Sequence, residues 1–207
     1  MITLTQLRNR CLSRADMANS NFRNTEELDF LITTSLDELY DHLVGSYEDY
    51  FVQEMTINIA SGQDSYLFAA DVYKLLGVDT NTGAGYEEID PYVFSDRNTI
   101  IGYDHLRYRW LGKSLKFLPK EHAAGEYRIY YIPRLVLDGE DIPPELEQYI
   151  DYVVIDVAIK LLQQEESDPS VLMAQKAEMK QRIKSMAANR DAGNPLTVRQ
   201  TRWERCF

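Results

Sequence analysis

The sequence predicts an α+β protein with three parts. A helical bundle body is built from the N- and C-terminal helices, an antiparallel β-rich subdomain is inserted between them, and an extended C-terminal tail follows. Three observations predict this. Apolar residues recur every three or four positions over 1–49 and again over 138–190, the period of a half-buried helix. Between 50 and 137 the period changes to two, which is the signature of strands. Charge is also uneven. Val171–Phe207 carries eight Lys/Arg and three Asp/Glu, a net of +5, while residues 1–170 carry fourteen and thirty, a net of −16. An acidic body with a basic arm predicts a partner for the arm.

The first helix is announced by Thr3-x-x-Gln6, a capping box in which each side chain satisfies the other residue's orphan N–H. Leu4, Leu7, Cys11, Ala15 and Ala18 follow at helical spacing. A second helix starts at Asn24, an N-cap residue type, with Glu26 and Glu27 favoured in the positive first turn. Leu28, Ile32, Leu36, Leu39 and Leu43 form its apolar stripe, Asp29, Asp37 and Asp41 lie off it, and Gly45 marks its stop.

In the middle region, Thr56–Ile59 alternates, Ser61-Gly62-Gln63-Asp64 is a turn before Tyr66–Phe68, and 81–85 is a loop. Leu106, Tyr108 and Trp110 alternate with Arg107 and Arg109, and Gly112-Lys113 turns the chain into Leu115 and Phe117 as a hairpin. Tyr127, Ile129 and Tyr131 make a further strand ending at Pro133.

Pro143 and Pro144 open a helix over 145–165, since the first helical turn tolerates proline. This helix carries two apolar stripes. Leu146, Ile150, Val153, Val157 and Leu161 make one; Tyr152, Ile155, Ile159 and Leu162 make the other. A helix apolar on two sides is buried on both. Either it sits at the centre of the bundle, or the second stripe meets another subunit. Asp168 as N-cap and Pro169 at the first helical position restart a last helix with a thin stripe, Leu172, Met179, Ile183 and Met186, stopped by Gly193 and Pro195. The two ends of the chain are expected to pack together, with the β region projecting from them.

A hydrophobic content of 44% supports a sizeable core, and fourteen Tyr suit half-buried sheets and interfaces. Cys11 and Cys206 lie near opposite ends and imply no disulfide framework, which fits a reducing cytoplasm. The N-terminal MITLTQLRNRC lacks an apolar signal region. The most apolar run, Ile150–Leu162, is interrupted by Asp151, Asp156 and Lys160, so no membrane span is expected.

No catalytic motif emerges. His42, His105 and His122 are widely spaced, without a second His or Cys at a metal-binding interval, so neither metal nor cofactor is expected. There is no GxSxG, GxxxxGK[ST] or CxxC. Gly83-Ala-Gly85 lacks the strand-before, helix-after setting of a phosphate loop. The cluster Glu165, Glu166 and Asp168 lies at a helix junction, where a dipolar role outweighs acid–base work. LRYRW interleaves Arg with aromatics as a base-stacking strand would. Its aromatics fall on one face and its arginines on the other, which is the pattern of a half-buried strand. An acidic body also repels phosphate.

Four segments carry a family resemblance: SLDELYDHLVGSYEDYFV (35–52), DVYKLLGVD (71–79), LRYRWLGKSLKFLP (106–119) and YIDYVVIDVAIKLLQQEESDPSVLMAQKAEMKQRIKSMAANRDAG (149–193). Together they cover about half of the chain, and the YVVIDVAIKLLQQEESDPS run is the most specific. With these segments the chain resembles the head-to-tail adaptor, or connector, proteins of tailed bacteriophages. The resemblance implies a homo-oligomeric ring of roughly twelve copies beneath the portal protein, closed by heterologous contacts. It implies a virion protein made in the host bacterial cytoplasm, with a tail or nozzle protein below it. DNA passes through the lumen without sequence-specific binding. No enzyme activity is implied.

Under this reading Tyr152, Ile155, Ile159 and Leu162 are the expected subunit interface. The tail, 191–207, is the expected portal-docking arm, mobile before docking, through Arg199, Arg202, Trp203, Arg205 and Phe207. The other reading of the same residues is an intracellular binding module that recruits an acidic protein through its basic arm.

Overall fold

The computed structural model describes residues 2–17, 24–68, 71–98, 105–137 and 141–190, with side chains in the last stretch as far as 186. The fold is α+β. The described residues fall into two compact units, one within Met1–Tyr47 and Leu137–Phe207, the other within Glu48–Val136.

The helical unit contains α1 (Leu4–Arg14), α2 (Thr25–Ser46), the single turn α3 (Pro144–Glu147), α4 (Ile150–Gln164) and α5 (Ser170–Arg190). Both hydroxyl–amide and amide–backbone bonds of the Thr3/Gln6 capping box form, at 3.2 Å each. Asn24 Oδ1 accepts from the Glu26 N–H at 3.2 Å and caps α2. Gly45 does not end α2; the helix continues to Ser46, with Tyr47 as C-cap. The helix expected over 145–165 is broken. Leu146, Tyr149 and Tyr152 each donate to the carbonyl three residues back, and Tyr149 adopts φ −114°, ψ 8°. That tight i→i−3 geometry separates α3 from α4. Asp168 accepts from the Ser170 N–H at 2.9 Å and caps α5, which starts at Ser170.

α4 is the axis of this unit and packs against α1, α2 and α5. Ten of its fifteen residues are buried. The five residues of its first expected stripe, with Leu146 lying on α3, are all at most 3% exposed. The Ile2 carbonyl, which accepts from the Ile142 N–H, and the Ile2 N–H, which donates to Glu147 Oε1 at 2.6 Å, join the two ends of the chain.

The β unit contains β1 (Gln53–Ile59), β2 (Ser65–Leu67), β3 (Val72–Asn81), β4 (Tyr86–Glu88), β5 (Arg107–Leu111), β6 (Ser114–Leu118) and β7 (Gly125–Pro133). They form two antiparallel sheets, β1-β7-β3-β4 and β2-β6-β5. β5 and β6 close a two-residue hairpin with Leu111 opposite Ser114, and Gly112 supplies the required positive φ of 62°. A single core joins both sheets: Ile57, Phe68, Val78, Leu115, Phe117, Tyr127 and Ile129, with Leu106 and Trp110 packed against it. Tyr108 and Trp110 thus serve the core side of β5, as the alternation of LRYRW requires.

β3 and β4 are strands that the alternation does not announce. β3 pairs with β7 through register shifts between Val72 and Lys74 and between Leu75 and Gly77. Each shift inserts a residue and flips the inward-facing set, so no unbroken period of two survives in DVYKLLGVD. No helix among the described residues is long and apolar enough to cross a membrane.

Candidate functional site: a buried charged seam and an open groove in the helical unit

Two features stand out in the helical unit. The first is a cluster of charges in its interior. Asp156, on the α2-facing side of α4, is 2% exposed. Its Oδ2 receives Lys160 Nζ at 2.6 Å and lies 2.5 Å from Ser35 Oγ, while its Oδ1 receives Lys176 Nζ at 2.6 Å. Lys176 also donates to Glu38 Oε1 at 2.9 Å, and Tyr152 OH donates to the same oxygen at 2.8 Å. Lys160 donates to Ser35 Oγ at 2.9 Å. Side chains from α2, α4 and α5 therefore meet on two carboxylates.

Burial alone pushes the Asp156 carboxyl upward. Hydrogen bonds from Lys160, Lys176 and Ser35 outweigh that and hold it below the usual carboxylate range. Glu38 is lowered in the same way, burial opposing and Lys176 and Tyr152 prevailing. For Lys176, burial favours the neutral amine, but Asp156 and Glu38 win and raise its pKa. A nucleophilic lysine needs the opposite shift. Ser35 is fully buried, and its single proton is shared between the Leu31 carbonyl at 2.8 Å and Asp156. No substrate can reach that hydroxyl. The cluster is thus a clamp between helices.

His42 borders the clamp. Its ring meets Tyr152 edge-on at 5.9 Å, and its Nε2 lies 3.5 Å from Glu38 Oε1 without forming a hydrogen bond. Burial and the positive charge of Lys180 lower its pKa, against the pull of Glu38. Among the described residues no group of three His, Cys, Asp or Glu is placed to hold a metal.

The second feature is a groove on the other side of α4. One hollow of about 570 Å³ is lined by Asn9, Arg10, Ser13 and Arg14 of α1 and by Asp151 and Val154 of α4. A second of about 300 Å³ shares Arg14 and adds Ile155 with Gln175, Glu178, Met179 and Arg182 of α5. An Arg14–Gln175 hydrogen bond spans the gap between α1 and α5.

The expected interface stripe fares unevenly. Tyr152, Ile155 and Ile159 are 0%, 8% and 6% exposed within the single chain. Their apolar area is largely covered by the neighbouring helices of the same chain. Of the two readings of the two-striped helix, the centre of the bundle is the one observed. Leu162 is half-buried, and Ile155 alone lines the groove. Arg199, Arg202, Trp203, Arg205 and Phe207, together with the stop at Gly193 and Pro195, lie outside the described residues.

Sequence reasoning missed the joining of Lys176 to Asp156 and Glu38, and the convergence of Arg10, Arg14 and Arg182. One signal was available: Asp156 interrupts a helix that is apolar on both sides, and a charge there must find a partner. No protein-family model matches this chain, and comparison with curated proteins gives no match.

Proposed function

We propose that this chain is a structural head-to-tail adaptor of a tailed-phage virion. In this reading, copies form a ring under the portal protein, join the capsid to a tail or nozzle protein below, and leave a lumen for DNA. The observation that supports it best is where the four resembling segments fall. They are the second half of α2 with the short turn after it, the inner strand β3, the β5–β6 hairpin, and α4 with α5. These elements are the frame of both units rather than their loops, so the resemblance concerns how the chain folds.

Charge supports the same reading. Each neutralised phosphate adds affinity and drag for passing DNA. A body with a net charge of −16 over residues 1–170 lets the duplex slide. The basic arm supplies the portal contact. Exposed ion pairs contribute about 0–1 kcal/mol each, so Trp203 and Phe207 carry more of the docking than the arginines do.

Deleting the coding sequence from its phage tests the proposal. Heads without attached tails are expected, with purified chain restoring attachment when added back. A chain lacking residues 195–207 keeps its circular dichroism spectrum and fails to bind portal-bearing heads. Trp203→Ala weakens binding more than Arg205→Ala. Tailed, infectious particles from the deleted phage would end the adaptor reading.

A further inference from the structure

We infer that neighbouring copies dock by inserting the outward face of α2 on one copy into the arginine-rimmed groove along α4 on the next. This rests on the ring reading above and names the surfaces that would close the ring.

The inserted face is read from exposure. Glu26, Phe30, Thr33, Asp37 and Asp41 recur at steps of three and four and are all exposed, so they form one stripe on the solvent side of α2. At its centre Phe30 is 70% exposed. Three carboxylates and a threonine around one projecting phenyl ring present an apolar plug with a negative collar.

The groove is its complement. Val154, Ile155 and Met179 are its apolar lining, Val154 and Ile155 being the more buried part. Arg10, Arg14 and Arg182 rim it, outnumbering the carboxylates of Asp151 and Glu178. On a chain with a net charge of −11, a groove with a cationic rim stands out. Arginine beside a small apolar lining is the composition of an interface centre. The two hollows share Arg14 as a wall, and each, at about 570 and 300 Å³, has room for an aromatic side chain.

Position on the unit supports the pairing. Tyr152 and Asp156 of α4 face α2, through Glu38 and Ser35. Asp151, Val154 and Ile155 line the groove, centred about 130° round α4 from that pair at 100° per residue. The α2 face points away from α4, so plug and groove lie on opposite sides of the helical unit. A heterologous contact needs two different patches, and patches on opposite sides let copies follow one another around a ring.

Sedimentation equilibrium of the full chain from micromolar to millimolar concentration tests the contact. The wild-type chain is expected to associate more as salt is lowered. Phe30→Asp, and separately Arg14→Glu with Arg182→Glu, each weaken association at least about tenfold. All three positions are on the surface, and circular dichroism verifies the fold. Mixing the two variants is the sharper arm. One keeps its groove and the other keeps its α2 face, so the mixture forms pairs and stops there. A photo-reactive phenylalanine analogue at position 30 of the otherwise unchanged chain is expected to cross-link to α1, α4 or α5 peptides of another copy.

The contact is overturned if the wild-type chain stays monomeric at millimolar concentration, if Phe30→Asp associates as well as wild type, or if the cross-links fall elsewhere. Those results leave the adaptor reading in place. Conversely, self-association by this contact without any binding to portal-bearing heads would leave the contact and remove the adaptor.

Discussion

The two units hold themselves together by different means. Among the described residues, the buried polar side chains are Ser35 and Asp156, and both belong to the helical unit. The β unit has an aromatic and aliphatic centre instead. Phe117 stacks on Tyr127 at 4.3 Å, and Phe68 touches Trp110 and Tyr131 edge-on at 4.9 and 6.2 Å. Its most deeply buried tyrosine, Tyr127, donates to the Ala123 carbonyl at 2.8 Å, and burial pushes its pKa up to about 12. A sheet core can be closed by packing alone, because its backbone polar groups are already paired. The bundle adds charges because α5 offers little apolar area: along it Ile183 is buried, while Val171, Met173 and Met186 are 69%, 52% and 42% exposed. Lys176 compensates by tying α5 to both α4 and α2.

The largest effect that would break this contrast comes from the β unit. Phe117 is fully buried, so Phe117→Ala is expected to cost about 4 kcal/mol through lost transfer energy and an unfilled cavity. Trp110 fluorescence in a Trp203→Phe background, followed through urea unfolding, reads it. Next is Asp156→Ala, which leaves Lys160 and Lys176 without their shared partner. The lysine side chains keep 26% and 23% exposure and recover some hydration, so about 3 kcal/mol is expected. Circular dichroism at the helix band reads that change.

A converse substitution sharpens the point. Replacing Asp156, Lys160 and Lys176 together by leucine or methionine is expected to cost less than Asp156→Ala alone, because the buried carboxylate leaves with both of its ammonium partners and the charge that loses its cation, Glu38, keeps 35% exposure. If the triple variant is as unstable as Asp156→Ala alone, the seam acts through something other than charge pairing.

Acid is expected to separate the two units. Asp156 and Glu38 titrate below their unfolded values of 3.8 and 4.5, so the unfolded chain takes up protons first as pH falls. Their contribution is complete above about pH 5 and is lost as pH drops through the lowered folded values. The helical signal therefore weakens in acid before Trp110 fluorescence does. In the β unit Asp71 and Glu126 are also lowered, by Lys113 and by Tyr86 with Asn81 respectively, but they sit at the surface, where solvent screens them. The smallest effect belongs to His42. Its lowered pKa makes the neutral ring the folded form, so stability declines as pH falls below the unfolded value of 6.5. His42→Phe removes that shallow slope from a pH series of urea midpoints.

What could be read from sequence was local. Thr3 with Gln6, Asn24 and Asp168 announce helix starts because capping chemistry spans two or three residues. The β5–β6 hairpin was legible from two alternating runs around Gly112. β3 was not, since two register shifts erase its period. The break at Tyr149 was hidden because apolar spacing runs smoothly from Leu146 through Ile150. The clamp joins Ser35, Glu38, Asp156 and Lys176, with a hydrogen bond between side chains 138 positions apart, and no window along the chain reveals such a meeting. The same holds for the groove, whose arginines come from α1 and α5. Stripe reasoning identified Tyr152, Ile155 and Ile159 as apolar and helical, but could not tell which neighbour covers them.

The central claim, the proposed adaptor function, is tested most directly by cryo-electron microscopy of the neck of the virions that the proposal assigns to this chain. The account predicts a ring of density between portal and tail, with the helical unit and the β unit of each copy both fitted and Phe30 seated against Val154 and Ile155 of the next copy. Neck density that leaves no place for these two units, or virions that lack the chain altogether, would contradict it.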